Sequence, residues 1–284
     1  MRLSALKKEA GSLGLVALDE AYALTDLLGL SLQEPSHEQL LIEVLTELVK
    51  VHSRQAAGVV LDPVYSLQLL EEGTELAGAL VRLEQMQTPD PLVAPKFIPN
   101  WGIENIRNMY GLAKLELFYH PTEEKALEKK QLVAEIFDFC QYEEIDFLIK
   151  LMIYNPAEGK LKSEDFQTAQ LEAVSELQRF ANVMALQYPQ DPLATATLTS
   201  NLDVPWLVIS EQDGYDQFKN SLRVALENGA AGFLAGEILW QEIGRMRQED
   251  QSPDMTEILK FIQTTSKDRI IELMRITGEE QDEV

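Results

Sequence analysis

The residues able to do chemistry are charged side chains set inside apolar runs. In Leu112–Tyr119 (LAKLELFY), Lys114 and Glu116 alternate with apolar neighbours. In Ile145–Tyr154 (IDFLIKLMIY), Lys150 shares a face with Leu148 and Met152. A charge in the middle of an apolar run is more informative than any number of surface charges. Two inward lysines suggest amine chemistry. Burial beside a second ammonium lowers a lysine's pKa, and a neutral ε-amine forms imines with carbonyl compounds. Lys150 and Lys114 are therefore the candidate nucleophiles, with Asp19 as the acid beside them. Asp19, Glu116 and Glu237 act the other way, because each carboxylate stabilises an ammonium. They outnumber the single like charge, so Lys150 is expected to stay protonated. Asp19 with Glu116 or Glu237 also has the makings of a glycosidase-like carboxylate pair, a reading that depends on their separation.

These residues need a frame. Eight runs rich in Val, Ile, Leu, Phe and Tyr read as strands: 15–20, 58–63, 79–85, 112–119, 145–154, 182–189, 204–210 and 230–236. Amphipathic segments at 36–52, 123–140, 163–180, 214–228 and 253–277 read as helices. Ser36 with Gln39 predicts a capping box, and Ser252-Pro253 an N-cap followed by proline at the first helical position. Asn228-Gly229 predicts a helix stop. The segment Met86–Met109, with four prolines, reads as a long loop and a short helix. The acidic tail 278–284 is expected to be frayed.

Strands in buried, near-continuous runs alternating with helices imply a parallel sheet covered on both faces. Their number favours one α/β domain over residues 1–284, a single (β/α)8 TIM barrel. The site of such a barrel lies at the C-terminal ends of the strands. Asp19, Asp62, Ser210 and Glu237 are expected there, with Ala185 and Gln187 on one face of the sixth strand.

Composition narrows the function. Lys and Arg number 24 against 47 Asp and Glu, a formal charge of -23. So acidic a surface repels nucleic acid and anionic lipid. One cysteine excludes a disulfide framework, and three scattered histidines make a metal cluster improbable. No cofactor is expected. The short apolar run near the N-terminus is broken by Gly11 and Gly14, and no other stretch is long enough to span a membrane. A cytoplasmic location is therefore expected. The partner class is a small carbonyl or sugar-like molecule, and a homo-oligomer is compatible with the chain.

Six runs carry a family resemblance. ENGAAGFLAGEILW resembles the pattern GA-x-GFLAGRA-x-W of the class I aldolases that cleave tagatose 1,6-bisphosphate and of the related sulfofructose-phosphate aldolases. VPWLVIS resembles their seventh strand, GVVLDP the second and VALDEAYAL the first. LAKLELFY resembles A-(I/L)-K-x-L, and NVMALQYP resembles D-(V/L)-x-KVE-x-P. The match runs in order through most of the chain and is poorest at Met86–Met109.

The resemblance implies an aldolase barrel with its reacting groups replaced. The Schiff-base lysine of KVE-x-P falls on Ala185, and a methyl group forms no imine. The proton-transfer glutamate of the fifth strand falls on Lys150, and the phosphate arginine of GFLAGRA on Glu237. The arginine of DQR falls on Ala21. The phosphate-binding turn after strand seven reads Ser210-Glu211-Gln212-Asp213, whose acids repel phosphate. Asp19 and Lys114 remain, and Gln187 replaces the acid of KVE. Bisphosphates are expected to bind poorly. The expected function is a non-aldolase binding or regulatory barrel, with Glu211 and Glu237 remade for a cationic or neutral ligand or drifted. The alternative is an active carbon–carbon lyase using Lys150 or Lys114 on a carbonyl substrate that is not a bisphosphate. His120 reads as a solvated loop residue, Cys140 as a small hydrophobe and Asp62 as the structural end of strand two.

Overall fold

A computed structural model describes Leu6 and residues 13–66, 78–85, 90–157, 161–211 and 214–282. Eight parallel strands close into a barrel in chain order. They are β1 (Leu13–Leu18), β2 (Gly58–Leu61), β3 (Ala79–Arg82), β4 (Leu112–Tyr119), β5 (Phe147–Ile153), β6 (Val183–Leu186), β7 (Trp206–Ile209) and β8 (Gly232–Ala235). All eight expected strands form, most of them shorter than their apolar runs. The polar residues that end the runs lie beyond the ladder and become the barrel mouth.

Strand alternation sorts side chains between two cores. Leu13, Leu15 and Ala17 of β1 point inward with Leu80, Leu112, Leu148, Val183 and Leu207, and Leu6 joins the same cluster. Val16 and Leu18 point outward and pack in the larger cluster that the helices cover. Closure needs one special residue. Gly232 of β8 pairs with Leu13 of β1 at φ 153°, and a Cβ there would lie 2.2 Å from the Leu13 carbonyl oxygen. Only glycine permits that approach.

The outer layer comprises α1 (Ala21–Leu28), α2 (Pro35–His52), α3 (Ile103–Asn108), α4 (Ala126–Tyr142), α5 (Ser163–Leu177), α6 (Pro192–Ser200), α7 (Tyr215–Glu227), α8 (Met255–Phe261) and α9 (Lys267–Asp282). The five expected helices are present. The last is split into α8 and α9 by a π turn at Ile262–Ser266. The short helices α1 and α6 were not expected; α6 starts with Asp191 as N-cap and Pro192 behind it.

Two capping expectations are corrected. The N-cap of α2 is Glu34, with Pro35 at the first helical position, two residues ahead of the supposed Ser36–Gln39 box. Asp254, not Ser252, caps α8, accepting from the Glu257 amide at 3.1 Å. The final helix runs to Asp282 through most of the segment expected to fray. Residues 283–284 lie outside the described residues, as do Gly11, residues 86–89 and the Gln212-Asp213 pair.

The rest of Met86–Met109 forms a return loop and the short helix α3. Phe97 bridges antiparallel to Glu84, just beyond β3. Lys129 ties this loop to the barrel. It is fully buried, and its Nζ donates to Pro91 O at 2.6 Å, Phe118 O at 2.8 Å and Glu123 Oε2 at 2.5 Å.

His52 joins α2 to the π turn. Its Nδ1–H donates to Leu48 O at 2.8 Å, and its Nε2 accepts from Ser266 Oγ at 3.0 Å. The ring is fully buried, and burial lowers its pKa from 6.5 to about 4. The unfolded chain therefore takes up this proton from about pH 6.5 downward, whereas the folded chain resists it until about pH 4. Stability present above pH 6.5 is lost across that window, by up to about 3 kcal/mol from this one group. Urea unfolding at pH 7.0, 5.5 and 4.5 should show the decline, and His52→Gln should flatten it. An equally steep decline in the variant would show that His52 is not its source.

Candidate active site at the barrel mouth

The inner faces of the strands change character toward their C-terminal ends. Below lies the apolar plug; above it lies a chain of ion pairs. Lys114 is 1% exposed. Its Nζ donates to Glu84 Oε1 at 2.6 Å and to Asp19 Oδ2 at 2.8 Å, with Glu116 Oε2 at 3.9 Å. Lys150 donates to Glu20 Oε1 at 2.6 Å and pairs with Glu116 Oε1 at 3.0 Å. Glu116 thus lies between the two lysines. On β3, Arg82 donates to Asp62 Oδ2 at 2.9 Å and to the Glu84 carbonyl. Three buried atoms of this network, Asp19 Oδ1, Glu84 Oε2 and Arg82 Nε, have no hydrogen-bond partner among the described residues.

The protonation states follow from this geometry. Burial alone would lower the pKa of Lys114, but Asp19, Glu84 and Glu116 reverse that and raise it. Burial likewise opposes the charge of Lys150, and Glu116, Glu20 and Asp19 overcome it, leaving the pKa well above the ordinary value. Both lysines are ammonium ions at neutral pH. Burial works against the carboxylate of Asp19, yet Lys114 and Lys150 hold its pKa low. In Glu84 burial prevails over Lys114, and the pKa rises. In Glu116 the two lysines prevail over burial, and it falls. Asp62 is raised by burial despite Arg82.

The expected site residues fall into three groups. Asp19, Lys114, Glu116 and Lys150 meet in one network. Asp62 ends β2 structurally, accepting from Val64 N at 2.7 Å as well as from Arg82. The remaining residues line the other side of the mouth. Ala185 is fully buried and is the cross-strand partner of Lys150. Gln187 joins three strand ends: its Oε1 accepts from Ile153 N at 2.7 Å, and its Nε2 donates to Glu211 Oε1 at 2.7 Å. Ser210 Oγ accepts from Gly236 N at 3.1 Å. Glu237 is exposed overall, and its pKa is raised by the partial burial of its carboxyl and by the charge of Glu20.

Outside the mouth, His120 contacts Thr122, its Nδ1 lying 2.9 Å from the hydroxyl, in a solvated turn. Cys140 is buried, and burial pushes its thiol up to about 12. Of the carboxylates around Lys114, Asp19 and Glu116 were expected beside the lysines. Glu20, Arg82 and Glu84 were missed. Arg82 and Glu84 alternate within the run ALVRLEQ, the same signal that identified Lys114. Glu20 lies past the end of β1, where alternation carries no information.

No helix among the described residues is long and apolar enough to cross a membrane. No family model matches the chain. Curated relatives do. The chain is 21% identical to the tagatose 1,6-diphosphate aldolase of Staphylococcus epidermidis, over 96% of its own length and 94% of that protein. It is 23% identical to tagatose 1,6-diphosphate aldolase 2 of Streptococcus pyogenes serotype M3, over 81% of its length and 80% of that protein. Among solved structures, an archaeal fructose-1,6-bisphosphate aldolase, captured with its catalytic Lys bound to the carbinolamine intermediate, superposes with a TM-score of 0.61. The identity is 15%, covering 94% of this chain and 96% of that one. The fructose-bisphosphate aldolase of Slackia heliotrinireducens gives a TM-score of 0.66 at 13% identity, covering 96% of this chain and 88% of that one. The structural likeness shows the (β/α)8 fold. The relatives bear out the sequence resemblance to tagatose-bisphosphate aldolases, at low identity.

Proposed function

We propose that this chain is an aldolase-like barrel that binds a small carbonyl or sugar-like ligand at its mouth and forms no Schiff base, serving a binding or regulatory role. The observation that carries this reading is the state of the two inward lysines. An imine needs a neutral amine with a free lone pair. Lys114 has two carboxylates within 2.8 Å, and Lys150 has two within 3.0 Å. The like charge that would lower either pKa is outweighed by the acids around it. Beside Lys150, where the resemblance puts the Schiff-base lysine, stands the methyl group of Ala185. With Lys150 in the place of the proton-transfer acid and Glu237 in that of the phosphate arginine, the replaced groups all serve one reaction. Residues that act as a unit are not lost singly without consequence.

The test is chemical trapping. The protein is incubated with dihydroxyacetone, pyruvate or dihydroxyacetone phosphate, then reduced with borohydride and mapped by peptide mass. No lysine adduct is expected. An adduct on Lys150 that disappears in Lys150→Met would establish a relocated lyase site, and one on Lys114 would establish the same chemistry with the other amine.

A further inference from the structure

The pair between Glu20 and Lys150 crosses the whole barrel. In a closed ring of eight strands in chain order, β1 and β5 lie opposite each other. Lys150 is on β5 and faces inward beside Ala185. Glu20 is two residues beyond β1, 130 positions away in sequence. Its carboxylate therefore lies over the barrel axis, where a ligand in the mouth would also sit. Glu20 stands at the N-cap of α1, yet its side chain makes no capping hydrogen bond there. It reaches to Lys150 instead.

The two ends of this bridge differ in freedom. The Lys150 side chain is 12% exposed, and that of Glu20 is 42% exposed. Glu20 also borders a narrow cleft lined by Ala23, Leu24, Leu27 and Trp240, so it has room on its outer side. Glu116, the other partner of Lys150, is shared with Lys114. Among the described residues, Glu20 is thus the carboxylate paired with Lys150 that no second lysine shares, and it is the more exposed end of the bridge.

We propose that Glu20 is a tethered occupant of the barrel mouth: its carboxylate masks the Lys150 ammonium, and the ligand that displaces it carries a single carboxylate. Charge selects that ligand class. Asp19, Asp62, Glu84 and Glu116 already face Arg82, Lys114 and Lys150 across the ring. One incoming carboxylate replaces one departing carboxylate and leaves the inner charge unchanged. A bisphosphate brings several further negative charges toward Glu237, which already feels the repulsion of Glu20. A cation finds no free partner on Lys150. The inference rests on the proposed function in one respect, that Lys150 acts through its charge and not as an imine-forming amine.

Glycolate tests it, having a carboxylate and no carbonyl; ethylene glycol is the uncharged control. Calorimetry compares the wild-type protein with Glu20→Ala and Glu20→Gln, each checked for folding by circular dichroism. If the masked state holds about nine-tenths of the population, unmasking tightens apparent binding by about tenfold. The expected order of glycolate affinity is Glu20→Ala over Glu20→Gln over wild type, with ethylene glycol binding none of them. Lys150→Met in the Glu20→Ala background should abolish binding. Equal affinity in wild type and Glu20→Ala, no glycolate binding in Glu20→Ala, or binding that survives Lys150→Met would each overturn the masking. A borohydride adduct with pyruvate would overturn the proposed function instead, since glycolate cannot form one.

Discussion

Incubated with fructose or tagatose 1,6-bisphosphate, this protein is expected to release triose phosphate more slowly than its aldolase relatives by on the order of 10⁶, the loss seen when a whole nucleophilic unit is removed. Covalent aldol cleavage needs an amine lone pair to form the imine and a group to move the proton. Both inward amines are held protonated by carboxylates. Binding is expected to fail alongside the chemistry. Each arginine–phosphate fork is a charge-assisted pair, and at the position where the resemblance implies such an arginine this chain has Glu237. The overall charge of -23 supplies no compensating long-range attraction. A coupled assay for triose phosphate checks the rate, and calorimetry checks the binding. Turnover at the rate of the relatives, or micromolar bisphosphate affinity, would refute the non-aldolase reading.

The second large effect is on stability. Lys114→Met should destabilise the fold by about 3–5 kcal/mol, the usual cost of removing one partner from a buried ion pair. The penalty comes from what is left behind. Asp19 is 2% exposed and Glu84 is 9% exposed, each already has one oxygen without a partner, and both lean on the same ammonium. Without Lys114 they become like charges in a buried site, which favours uptake of a proton by one of them. Adding Asp19→Asn and Glu84→Gln should recover part of the loss, because neutral amides do not repel. Urea unfolding of the single and triple variants measures both. A single-variant loss below about 1 kcal/mol, the range of exposed pairs, would mean that the network is solvated and does not hold the mouth together.

Much of the fold was legible because strand burial is a local signal. A parallel strand covered on both faces reads as a continuous apolar run, and all eight runs formed strands. The alternation within LAKLELFY by itself puts Lys114 and Glu116 on the inner face with Leu112. Helix boundaries were less legible, since the N-cap residues of α2 and α8 are Glu34 and Asp254 instead of the serines nearby. The site itself was half legible. Its inward residues on β4 and β5 could be named, with Asp19 and Glu116 among their partners, but Glu20 and Glu84 could not.

The amino-acid sequence by itself determined the eight strands, the faces that Lys114, Glu116, Lys150 and Ala185 present to the interior, and the acidic surface. Each is written within a few neighbouring residues, as a two-residue period or a simple sum of charges. Only the tertiary structure decided which charges meet. Lys114 finds Asp19 at a separation of 95 positions and Glu84 at 30, and Lys150 finds Glu20 at 130. Those contacts exist because closing the sheet brings β1 opposite β5 and turns all the C-terminal ends toward one mouth. Whether a buried lysine is a nucleophile or an ammonium depends on the carboxylates within about 4 Å of it, where the Coulomb energy outweighs desolvation. That distance is set by barrel closure and not by the spacing of residues along the chain.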